Sequence, residues 1–260
     1  MCTPRYDITR EQFDRISHLL PVQRGNVVVD NYTFVNALLW AMRTGSPWRD
    51  MPECFGKWIT IYQRFNRWSR SGVIERLFAA LQEERIVRME VRVLALDSTS
   101  VKVHQHATGA PPKRGDQAIG TSRGGRNTKI HMVACDELSA VEVHLSSGAG
   151  HDAPQGRVAI AALGAFMGLP LLMDRAYEGD ATRQAAGALG LEPVVPPKRN
   201  RTDPWEYDRD AYKERNIVER LFNRIKHYRR VATRYEKLRE TYLSDVHLAL
   251  IAIHLKRPLE

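Results

Sequence analysis

"VRVLALD", residues 91–97, is where the reading of the fold turns. Upstream of it, apolar residues recur every three or four positions; here they run almost without interruption, as in a strand covered on both faces. A helical domain over residues 1–88 therefore gives way to a sheet domain over residues 89–260. The run ends on Asp97, and a second short apolar run, PLLM at 170–173, ends in the same way on Asp174. If the two strands are neighbours running the same way, both carboxylates emerge at one edge of the sheet, where α/β sheets place their ligands. A carboxylate beside a buried strand is costly unless it is paired, protonated or metal-bound. For either aspartate alone, capping of a local turn is the simpler account.

Toward the N-terminus, Phe34, Leu38, Ala41 and Met42 have helical spacing and stop at Gly45. Trp58, Ile61, Tyr62, Phe65 and Trp68 form one stripe of a second helix, and Leu77, Ala80 and Leu81 point inward from a third. The arrangement is helix-turn-helix-like. Arg64, Arg67 and Arg70 lie off the aromatic stripe and would reach one phosphate-bearing surface, the alternative being a solvated charged face.

Toward the C-terminus, residues 104–127 are polar and rich in Gly and Pro, too long for an ordinary connection, and are expected to form a mobile basic loop. Residues 129–148 read as a hairpin turning at 136–139, and Asp152 as the cap of a helix running to Gly168. Strands alternating with helices then complete an α+β or α/β domain.

The net charge is +9 and the pI about 9.6. The excess sits in two patches, with six basic residues against one acid over 102–131 and sixteen against nine over 198–257, which suits a polyanionic partner. The three cysteines have no CxxC spacing and indicate neither a disulfide framework nor a thiolate zinc site. No apolar run approaches the roughly 20 residues of a membrane span, so a cytoplasmic location without membrane contact is expected. TSRGGR at 121–126 lacks the spacing of a nucleotide-binding loop, and no nucleotide cofactor is expected.

In YKERNIVERLFNRIK, residues 212–226, a helical projection puts Tyr212, Arg215, Glu219 and Lys226 on a strip about 60° wide, bordering an apolar face of Ile217, Val218, Leu221, Phe222 and Ile225. Arg215 and Glu219 alone could be an exposed ion pair worth ~0.3–0.5 kcal/mol. Taken with two strand-end aspartates, Glu219 completes an all-oxygen set suited to Mg²⁺ or Mn²⁺. Two such ions can assist an in-line displacement at phosphorus.

The spacing Tyr212, Arg215, Glu219, Lys226 resembles the third-carboxylate signature of bacterial insertion-sequence DDE transposases. LALDSTSVKVHQHATG, QAIGTSRGGRNTKIH, GHDAP and MDRAYEGD resemble, in order, the blocks of the insertion sequence 5 group. The helical region 34–68 is similar to that group's N-terminal domain. The resemblance implies an RNase H-like mixed sheet with flanking helices, a catalytic and metal-binding triad of Asp97, Asp174 and Glu219, and divalent metal. It further implies cleavage and strand transfer of DNA bounded by terminal inverted repeats, with Arg215 and Lys226 contacting DNA. Ala176 stands where the family pattern has glycine. Arg123, Arg126, Lys129, Lys198, Arg199 and Arg201 are further candidates for phosphate contact, against a merely solubilising role. His104 and His106, two apart, are expected to be loop residues. A homo-oligomer on DNA is expected from the need to cut two ends together. The rival readings are a catalytically silent DNA-binding regulator and an RNase H-like nuclease without joining activity.

Overall fold

The computed structural model of the chain describes residues 4–88, 91–111, 114–164 and 168–256. In chain order the main elements are α1 (Arg10–Ser17), α2 (Asn31–Thr44), α3 (Trp58–Arg70), α4 (Val73–Arg88), β1 (Leu94–Val103), β2 (Gly120–Ser122), β3 (Gly125–Ala134), β4 (Ala140–Ser147), α5 (Asp152–Ala162), β5 (Pro170–Met173), α6 (Asp180–Ala188), β6 (Glu192–Val194), α7 (Arg209–Tyr212), α8 (Asn216–Lys226), α9 (Arg229–Ala232) and α10 (Arg239–Leu255).

They gather into two compact units, Met1–Glu84 with His104–Gly115 and Arg224–Glu260, and Arg85–Val103 with Asp116–Asn223. The helical unit includes the C-terminal segment from Arg224, whereas the sequence reading placed residues 89–260 together in the sheet domain. The reason is α10, which is buried on nearly every side and packs on α2 and α3. A helix apolar all round needs a helical core about it.

Within the helical unit, α1 opens with a reciprocal cap in which Thr9 Oγ1 accepts from Gln12 N–H and Gln12 Oε1 accepts from Thr9 N–H. Asp30 caps α2, and Gly45 ends it at φ 68°, a left-handed conformation that favours glycine. On α3 the buried residues are Ile61, Arg64, Phe65, Trp68 and Ser69. Arg64 therefore does not lie on a free surface with Arg67 and Arg70, as its spacing suggested. Its guanidinium stacks over Phe34 at 4.2 Å and Trp68 at 4.8 Å and donates to Val29 O and Asn31 Oδ1. An arginine's planar, weakly hydrated cation is well suited to such aromatic faces. Cys54 is disulfide-bonded, which the cysteine spacing did not indicate.

In the other unit the order across the sheet is β4, β3, β1, β5, β6, with β2 pairing the opening residues of β3. The first three run antiparallel as a meander, while β5 and β6 lie parallel to β1. This is the RNase H-like mixed sheet with flanking helices. The hairpin turning at 136–139 is present as β3 and β4. Part of the segment expected as a mobile loop is ordered: residues 105–107 form a 3-10 turn and 120–122 pair as β2. The helix expected to reach Gly168 ends at Ala162, and residues 165–167 lie outside the described residues. One face of the sheet carries Leu94, Leu96, Val133, Leu171 and Met173, packed with Ala159 and Ile160 of α5 and Ala186 of α6. No helix among the described residues is long and apolar enough to cross a membrane.

Candidate active site

β1 does not end at Asp97 but runs on to Val103, because β3 continues to pair it from Asp97↔Met132 to Lys102↔Asn127. Only β5 stops, at Met173. The parallel register pairs Leu94 with Leu171, Ala95 with Leu172 and Leu96 with Met173, so Asp97 and Asp174 are the next residues on adjacent, co-directional strands. The expected juxtaposition of the two carboxylates is therefore present, at the carboxyl end of β5.

Asp97 is mostly buried. Its Oδ1 accepts from the Ser98 N–H at 2.7 Å and its Oδ2 from Arg215 Nη1 at 3.0 Å. Loss of water pushes the Asp97 carboxyl above its usual range and the charge of Asp174 adds to this, against the Ser98 and Arg215 hydrogen bonds. Asp174 caps a 3-10 turn over Arg175–Tyr177, its Oδ1 accepting from Ala176 N–H. The capping role considered for a strand-end aspartate is thus present without removing Asp174 from the site. Ala176 is not among the residues with positive φ, so alanine in place of glycine is not strained there.

The helix expected over 212–226 is divided. Asp208 caps α7, a 3-10 turn follows over Lys213–Arg215, and α8 begins at Asn216 and ends at Lys226. Glu219 stands in the first turn of α8 with about half its side chain exposed, and accepts from Arg215 Nη2. Arg215 therefore bridges Asp97 and Glu219. Loss of water lowers its pKa, yet the charges of Asp97 and Glu219 more than offset this and hold it above the usual value. The Tyr212 ring lies 5.9 Å from the Arg215 guanidinium, and its phenol is pushed up by burial first and also by the charge of Asp174. Lys226, at the other end of α8, has its pKa lowered by burial.

Among the described residues no three His, Cys, Asp or Glu side chains are grouped as a ready-made metal cage. The donor set nonetheless fits a hard divalent cation. Asp97 and Asp174 are neighbouring carboxylates of which one is desolvated and raised by the other, and the nearest cation compensating Asp97 and Glu219 is the Arg215 guanidinium.

The remaining candidates divide by environment. Arg123 and Arg126 are exposed on the β2–β3 hairpin, and Arg67 is exposed on α3. Lys129, expected as a phosphate contact, is turned inward instead: its Nζ donates to Asp152 Oδ1 and to Gly150 O, each at 2.9 Å. Lys198 and Arg201 pair with the buried Glu178, at 3.3 and 3.5 Å. His104 and His106 face each other across a 3-10 turn, ring centroids 4.7 Å apart. Asp152 is not the helix cap, a position held by His151, but the first residue of α5, and its carboxylate receives Lys129 and the Ser98 hydroxyl. Sequence reasoning passed over Ser98 and Tyr177. Their only signal was position, one residue after Asp97 and three after Asp174.

A family model described as "Putative transposase of IS4/5 family" matches residues 8–78, and one described as "Transposase DDE domain" matches residues 171–256. The chain is 34% identical over 134 residues to "Putative transposase for insertion sequence element IS6501" of Brucella ovis, covering 50% of this chain and 98% of that one. It is 37% identical over 109 residues to "Uncharacterized protein y4sN" of Sinorhizobium fredii, covering 40% of this chain and 83% of that one. Among solved structures, "Mos1 transposase paired-end complex with left transposon end" is similar at 12% identity and a TM-score of 0.27, over 90% of this chain and 85% of that one.

Proposed function

This chain belongs to the IS4/5 family of insertion-sequence DDE transposases, and from that membership we propose that it binds the terminal inverted repeats of its own element and cleaves and joins DNA at an edge formed by Asp97, Asp174 and Glu219. It is a DDE-type DNA transposase, and enzymes with this domain depend on divalent metal. The observation that carries the proposed site is the parallel register that sets Asp97 beside Asp174, with Arg215 joining Asp97 to Glu219.

In this reading Asp97, Asp174 and Glu219 hold Mg²⁺ or Mn²⁺, as two ions. Bound there, the metal supplies polarisation of the attacking and leaving oxygens at phosphorus. The chain's own groups do the rest. The Ser98 N–H holds Asp97 with one oxygen committed and the other turned to the edge. Arg215 neutralises the acids in the absence of metal; a guanidinium has five donors, so it can hold a DNA phosphate while still paired with a carboxylate. Tyr212 packs beside Arg215. Lys226, exposed Arg67, and Arg123 and Arg126 on the hairpin add sequence-independent attraction for the backbone, while the helical unit supplies repeat recognition. A homo-oligomer brings two element ends together.

The test is nicking and strand transfer with Mg²⁺ or Mn²⁺ on DNA carrying the flanks of this coding region, wild type beside Glu219→Gln. Cutting and joining by wild type alone is expected. Cut DNA without joined product would turn the reading to a hydrolytic nuclease, and binding without cutting to a regulator.

A further inference from the structure

We propose that Lys129, Asp152, Ser98 and Tyr177 form a positioning device behind the acid edge, in which Asp152 fixes the Ser98 hydroxyl and Ser98 in turn fixes the carboxylate of Asp97. The inference rests on the reading of Asp97 as a metal ligand given above.

Asp97 and Ser98 are successive residues of β1, so their side chains leave on opposite faces of the sheet. Asp97 meets Arg215 on one face. Ser98, on the other, donates its hydroxyl to Asp152 Oδ1 at 2.8 Å. The same oxygen receives Lys129 Nζ, which also holds the Gly150 carbonyl and so ties down the turn that leads into α5. The Ser98 main chain then returns the constraint across the sheet, because its N–H is the donor to Asp97 Oδ1 at 2.7 Å. A carboxylate whose one oxygen is held by a fixed N–H has little freedom of rotamer, and its second oxygen has a defined direction.

Two further features place this arrangement under constraint. Gly156 of α5 sits so close that a Cβ there would come within 2.5 Å of the Tyr177 ring and 3.2 Å of Leu96 Cδ2. Only glycine lets α5 bring Asp152 down onto the strand. The Tyr177 hydroxyl is fully buried without a well-formed hydrogen bond, and lies beside Ser98 within the field of Asp97, Asp152 and Asp174. A purely structural Lys–Asp pair would need no contact with the residue next to Asp97.

The experiment measures Mn²⁺ binding to the full chain without DNA, by the loss of the free-ion paramagnetic resonance signal, beside nicking activity and thermal melting. Ser98→Ala leaves the Lys129–Asp152 pair intact and so tests the device even where Asp152→Asn fails to fold. Ser98→Ala and Asp152→Asn are each expected to weaken Mn²⁺ binding by up to about 10-fold, the low end of the cost of disturbing an outer partner of a ligand, because the Ser98 N–H stays on Asp97 Oδ1. Ser98→Thr, which keeps the hydroxyl, is expected to restore most of that loss, and the double variant to bind no worse than the weaker single one. Wild-type Mn²⁺ binding by a folded Ser98→Ala chain would overturn the device while Asp97→Asn still abolishes binding. Undiminished binding by Asp97→Asn would instead bring down the metal reading itself.

Discussion

Arg230 in the helical unit and Arg215 in the sheet unit both pair with acids, and they do different work. Arg230 is 3% exposed, meets Glu236 at 2.5 Å, lies 3.8 Å from the fully buried Asp245 and stacks over Trp48 at 4.4 Å. Arg234, also buried, donates to the Glu236 carbonyl. The Asp245 carboxyl is pushed well above its usual range by burial and then by Glu236. The charged side chains of that cluster are buried and spend their contacts on one another. Arg215 and its acids stand at a partly open edge, with about half of the Glu219 side chain exposed. Burial, more than residue type, separates ionic groups closed in a core from those open to exchange, as the proposed site requires.

The contrast breaks most visibly if the edge acids are dispensable. Asp97→Asn, Asp174→Asn and Glu219→Gln are each expected to reduce nicking by on the order of 10⁴-fold or more, because such residues act as a unit, with melting temperature and DNA retention kept. A variant that still nicks at near wild-type rate would remove its residue from the site.

Next in size is the buried cluster. Arg230→Met removes the cation paired with Glu236 and one of the two arginines beside Asp245, and is expected to cost about 3–5 kcal/mol in urea unfolding. A loss below about 1 kcal/mol would mean that the helical unit does not depend on it.

His247 sharpens the comparison through pH. It is buried against Phe78, stacked at 4.4 Å, and loss of water pushes its pKa down from 6.5 to about 4. The unfolded chain takes up this proton below pH 6.5 while the folded chain refuses it until about pH 4. The contribution to stability is therefore complete above 6.5 and lost as pH falls between those values, by up to about 3 kcal/mol. His247→Phe is expected to flatten that part of the stability profile; an unchanged slope would exclude His247 as its source.

The smallest effects separate two arginines of α3. Arg64→Ala is expected to cost about 2 kcal/mol of stability, through lost aromatic stacking and a buried hydrogen bond. Arg67→Ala should leave stability within about 0.5 kcal/mol and lower the salt dependence of DNA binding by about one in log–log slope. If Arg64→Ala melts as wild type and alters only the salt slope, Arg64 is a DNA contact after all.

Much of this was legible along the chain. The change of period at residue 91, the hairpin turning at 136–139 and the two apolar runs ending in aspartate are local patterns, and local patterns survive folding. α1 was legible too, in the cap formed by Thr9 and Gln12, but was passed over. Arg64 misled because helical spacing reports direction about one axis and not what stands opposite. Phe34, 30 positions away, turned a surface direction into an aromatic slot. Lys129 misled likewise, since its acid lies 23 residues on.

The sequence by itself determined that a helical region precedes a sheet, that two apolar runs end on aspartates, and that Glu219 lies four residues after Arg215; each is a pattern within a short window. Only the tertiary structure decided that β1 and β5 lie side by side in parallel register, that Arg215 spans from Asp97 to Glu219, and that Asp152 serves Ser98 and not its own helix. Those facts depend on which distant surfaces are buried against each other, and burial is a property of the packed chain that no short stretch of it contains.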